Sequence, residues 1–131
     1  MITITAQDAL RSENIPPGWY DGECIDYVLA TASTDGSAVH KFSVQVVIPS
    51  NPIPIPTQEF VVSKKAPGMG KAFFIACGFP KEEWEKLVKG ELTSQQIDPR
   101  DCVGKKFRVF ISNEKFGNRM LNKPTDFMSA K

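Results

Sequence analysis

Long apolar runs are missing from this chain. No stretch approaches the roughly 20 consecutive apolar residues of a membrane-spanning helix, so no membrane partner is expected. Histidine is nearly absent, with only His40, and Cys24, Cys77 and Cys102 form no Cys-x-x-Cys pair. Zinc-ligand spacing is therefore lacking, and neither a metal nor another cofactor is expected. An odd, scattered set of cysteines also makes a poor disulfide scaffold and fits a reducing cytoplasm. The first residues, Met1 to Asp8, lack the basic start and apolar stretch of a secretory signal. Excess charge is absent too: 16 Lys and Arg against 15 Asp and Glu leave +1, which excludes a cationic coat of histone type. Gly68-Met69-Gly70-Lys71-Ala72 fails as a phosphate loop, with Lys65 where a glycine is needed and Ala72 where Ser or Thr is needed.

What remains is a chain of 131 residues, 41% hydrophobic, the size of one domain with a real core. Its charge is polarised. Residues 1–60 carry two basic and seven acidic groups, a balance of −5, and residues 61–131 carry fourteen and eight, a balance of +6. Residues 1–17 read as a polar lead-in, ended by Pro16-Pro17-Gly18, and residues 18–131 as a single domain.

Residues 19–31 alternate with period two, but the phase slips near Cys24-Ile25, which predicts a β-bulge in a long bent strand. Asp35-Gly36 marks a turn into a second strand over residues 39–48, with Phe42, Val44, Val46 and Ile48 on one face. Residues 49–56 hold four prolines and are expected to be a stiff, extended connector. A short third strand follows at residues 58–63. Residues 72–77 suit a buried helix ending at Gly78. Pro80, Glu82-Glu83, Lys86 and Lys89 mark a second, with Trp84, Leu87 and Val88 as its apolar stripe. Strand four is expected over residues 106–112, a hairpin loop over 113–118, and strand five over residues 119–127, with Pro124 signalling an edge. Three strands, a helical segment and two strands is the element order of the OB-fold, a mainly β, five-stranded Greek-key barrel that binds oligonucleotides or oligosaccharides.

On such a barrel Phe42, Val44, Val46, Phe107, Val109 and Ile111 point inward. Lys41, Ser43, Gln45, Lys106, Arg108 and Phe110 then point outward. Phe110 is anomalous there, a large ring on the polar parity beside Arg108. Phe116 is another, lying between Lys115 and Arg119 in the hairpin. Rings flanked by cations can stack bases while the cations hold phosphates, each stacked base contributing about 1–3 kcal/mol. Packing against the lead-in or the barrel is the structural alternative for either ring. Lys64 and Lys65 extend the basic surface. His40 reads as a structural histidine, the cysteines as small core residues, and the pairs Asp98/Asp101 and Asp21/Glu23 have no catalytic partner. No constellation supports an enzyme.

Ile15-Pro16-Pro17-Gly18-Trp19-Tyr20, the segment 68–79 and Asp101-Cys102-Val103-Gly104-Lys105-Lys106-Phe107-Arg108-Val109 together resemble small phage-encoded OB-fold proteins of replication and recombination modules. The resemblance covers most of the chain from Ile15 onward. It implies a non-catalytic protein that binds single-stranded DNA in the host cell cytoplasm, with phage replication or recombination proteins as further partners. The acidic C-terminal tail of many such proteins has no counterpart in Thr125-Asp126-Phe127-Met128-Ser129-Ala130-Lys131. The expected nucleic-acid contacts are Lys41, Lys64, Lys65, Arg108, Lys115 and Arg119 to phosphates, and Phe110 and Phe116 to bases. The alternative is a protein-interaction or structural accessory module, supported by the acidic Asp21, Glu23 and Asp26, and a homo-oligomer is compatible with either reading.

Overall fold

The computed structural model describes residues 1–11, 14–63 and 70–130. In chain order the elements are α1 (Ala6–Arg11), β1 (Gly18–Thr31), β2 (Ala38–Ile48), β3 (Asn51–Pro56), β4 (Phe60–Ser63), α2 (Lys71–Ala76), α3 (Lys81–Val88), a 3₁₀ turn (Pro99–Cys102), β5 (Lys106–Phe116) and β6 (Arg119–Ser129). The protein is mainly β. Its strands form one antiparallel sheet in the order β3-β2-β1-β5-β6, with β4 also on β2.

β1 organises the sheet because it bends. Its register against β2 runs Cys24 with Val44, then Asp26 with Ser43, which leaves Ile25 as the extra residue of a bulge. Before the bulge β1 pairs with both β2 and β5; after it, with β2 alone. Gly22 permits the close approach there: a Cβ at this position would lie 2.8 Å from Val109 Cγ1 and 3.2 Å from Phe107 Cε1.

The proline-rich segment is a strand rather than a connector, and six strands stand where five were expected. Pro52, Pro54 and Pro56 share one parity, so Ile55 is free of the proline constraint and pairs with Val46 while its side chain enters the core. β3 lies at the sheet edge, where missing donors are tolerated. The expected loop at 113–118 is mostly ladder. Only Gly117 and Asn118 turn, with Gly117 at φ +61° and Phe116 facing Arg119. A two-residue turn with glycine first matches the strand twist and lets pairing run to the tip. Pro124 sits in β6, an edge strand, beside a second bulge where Thr125 is the unpaired residue.

The core lies under the sheet. Phe42, Val44, Val46, Phe107, Val109 and Ile111 are all buried, as is Ile55. Phe73 of α2 plugs the open end of this core, with its ring 4.7 Å from Phe42, 4.9 Å from Phe60 and 4.9 Å from Phe127. α3 behaves otherwise. None of its residues is fully buried, and Trp84 meets Phe79 edge-on. The stripe of Trp84, Leu87 and Val88 exists on the helix but is only half-buried at Trp84 and Leu87, and Val88 is 74% exposed.

No strand ladder joins β6 back to β4 among the described residues, so the sheet is not closed into a barrel by pairing. Among the described residues, a single backbone bond crosses the gap, from Gln58 N–H to the Asn122 carbonyl at 2.8 Å. The lead-in is tied down beside it: Ile15 is buried, and its N–H donates to Asn122 Oδ1.

Candidate nucleic-acid interface

The outward parity of β1 and β5 forms three matched rows. Trp19 faces Phe110, Asp21 faces Arg108, and Glu23 faces Lys106. Trp19 and Phe110 meet edge-to-face with centroids 5.5 Å apart. Arg108 donates to Asp21 Oδ1 at 3.2 Å and to the Trp19 carbonyl at 3.4 Å. Phe110 is thus on the outer side and half-buried, and its ring is shared with Trp19 rather than free on both faces. Arg108 already has an anionic partner.

The β5–β6 hairpin tip is different. Phe116 is 73% exposed, and neither Lys115 nor Arg119 takes part in an ion pair among the described residues. Both cations are exposed. Behind the tip, Glu114 and Lys123 pair at 2.8 Å on the Phe116 face and hold the two strands in register.

Two clefts flank the bond that crosses the gap between β4 and β6. One, about 490 Å³, is lined by Asn14, Thr57, Gln58, Asn118, Arg119 and Asn122 among others, a wall rich in amides. The other, about 300 Å³, runs between Glu59, Val61, Phe116, Leu121 and Lys123. Lys41 pairs with Val61 across the β2–β4 ladder, so it borders the second cleft at one remove. Lys64 and Lys65 lie outside the described residues.

The structure therefore sets Arg119 opposite Phe116 on one face of the hairpin tip and Lys115 on the other face, sets Lys41 on the neighbouring ladder, and groups Arg108 with Phe110 elsewhere. Phe110 and Phe116 share the even parity of β5, but six residues of strand separate them by about 20 Å. They cannot sandwich one base; a ligand touching both must run along the strand. Trp19 was not among the expected contacts; its parity with Asp21 and Glu23 marks its face, but the β1–β5 register is what sets it opposite Phe110. Gln58, Asn118 and Asn122 carry no local signal, because the cleft they line arises from a contact 64 residues apart. No protein-family model matches the chain, and no curated protein matches it.

Proposed function

We propose that this protein is a non-catalytic, largely sequence-independent single-stranded DNA-binding protein, built on an OB-fold-like barrel whose last seam is bridged rather than laddered. The fold reading is supported by β1 standing between β2 and β5, by helices preceding β5, and by Phe60 meeting Phe127 at 4.8 Å across the seam. One observation carries the binding reading: a ring 73% exposed at the hairpin tip, with Arg119 across from it and Lys115 beside it in the chain, neither in an ion pair among the described residues. Burial gives such a ring nothing, whereas a base stacked on it gains about 1–3 kcal/mol. Arg119 holds a phosphate beside it, Lys115 holds one from the other face of the hairpin, and Arg108, Phe110 and Trp19 extend the track along β5. The setting, phage DNA replication or recombination, rests on the resemblance carried by Ile15 to Tyr20, residues 68–79 and Asp101 to Val109.

The test is a low-salt anisotropy titration of labelled oligo-dT, single-stranded RNA and duplex DNA. Binding of oligo-dT that weakens steeply with salt is expected. Failure of every oligonucleotide to bind overturns the reading. A protein-interaction module then becomes the better account, favoured by Val28 and Leu29, 48% and 60% exposed on the far end of β1.

A further inference from the structure

The three cysteines, scattered in sequence, converge in space. Cys24 lies at the β1 bulge, Cys77 at the C-terminal cap of α2, and Cys102 in the 3₁₀ turn; all three are buried and reduced. Two backbone bonds lock the bulge to the turn: Gly104 N–H to the Cys24 carbonyl at 2.7 Å, and Cys24 N–H to the Lys105 carbonyl at 3.1 Å. The set is not arranged as a metal cluster, for no group of three or more His, Cys, Asp or Glu side chains among the described residues is placed to hold an ion.

Cys77 and Cys102 have what Cys24 lacks. Both line one cleft of about 370 Å³, with Phe79, Ile97, Asp98, Asp101 and Lys105, and each thiol is the other's strongest electrostatic neighbour. Cys24 does not line this cleft, and its thiol donates to the Asp26 carbonyl at 3.6 Å. We infer that Cys77 and Cys102 are a reversible dithiol–disulfide pair, closed by exchange with a low-molecular-weight disulfide that enters the cleft.

The chemistry divides the roles. The interaction between the two thiols lowers the Cys102 pKa and raises that of Cys77; burial and the Asp101 and Asp98 carboxylates oppose the shift at Cys102, and Lys105 supports it. Burial pushes Cys24 up to about 11 and leaves it inert. The Cys102 thiolate attacks one sulfur of the small disulfide, forming a mixed disulfide and expelling one thiolate. Cys77 gives up its proton to solvent and attacks the Cys102 sulfur, closing the protein disulfide and expelling the second thiolate. Two protein thiols are oxidised, and one small disulfide is reduced to two thiols. The bond would tie α2 to the turn that leads into β5, and strong thiols reverse it.

Intact-mass spectrometry of the folded full chain, incubated with oxidised glutathione, tests this. The expected result is a monomer lighter by two hydrogens. Non-reducing tryptic digestion should join residues 72–81 to residues 101–105, thermal unfolding should shift upward by several degrees, and dithiothreitol should restore the original mass and midpoint. Cys24→Ser should still lose two hydrogens, whereas Cys77→Ser should stop at the mixed disulfide on Cys102. An unchanged mass in the folded wild type, a link through Cys24, or oxidation only to intermolecular dimers each overturns the inference.

Discussion

Phe116 and Phe110 differ in what their removal costs. Phe116 touches little, so an alanine there leaves stability within about 0.5 kcal/mol, whereas Phe110 also gives up an aromatic pair worth about 0.5–1.5 kcal/mol with Trp19. Arg108 is held by Asp21, but an exposed pair of this kind is worth only about 0.2–1 kcal/mol, little enough for a phosphate to displace it. Asp21→Asn should therefore release Arg108 and strengthen oligo-dT binding a few-fold at low salt. Unchanged or weaker binding in the titration would remove Arg108 from the track. Gly22→Ala tests the bend of β1: its methyl group would press on Val109 and Phe107, and urea denaturation should show a loss of about 1–3 kcal/mol.

Among the elements, the long hairpin is laddered to its tip, whereas α3 has no fully buried residue. The backbone amides of α3 should therefore exchange with deuterium orders of magnitude faster than those of β1, β2 and β5, as NMR or mass spectrometry would read. Comparable protection would mean that a partner or neighbouring copy covers Trp84 and Leu87. These two elements also mark where local pattern suffices and where it does not. The bulge at Ile25 was legible because a slip of one residue swaps the apolar set between faces. The extent of β5 and β6 was not, because Asn113, Glu114 and Lys115 read as turn residues until the Gly117 turn pairs them with Asn122, Leu121 and Met120. β3 was missed for a related reason. Prolines on one parity spoil a strand on both edges of a ladder but not on one, and whether the edge is free is a property of the sheet.

At the scale of the whole molecule, charge is near zero while position decides what is available. Fourteen basic groups lie in residues 61–131, yet Lys86, Arg108 and Lys123 already face carboxylates. The core and its parity could be read from alternation alone, and so could the cations beside Phe116. The clefts at the seam could not, since they depend on Gln58 meeting Asn122. If Lys115 and Arg119 each neutralise a phosphate, replacing either with alanine should reduce the slope of log K against log salt by about 0.7. A slope unchanged in both variants would place the phosphates elsewhere.

The account stands or falls on the rings. Anisotropy titration of labelled oligo-dT should be run side by side on the wild type, Phe116→Ala and the Phe110→Ala/Phe116→Ala pair, each shown to be folded by circular dichroism. Affinity should fall by about 1–3 kcal/mol with the first substitution and further with the second. Equal affinities across all three folded proteins would contradict it.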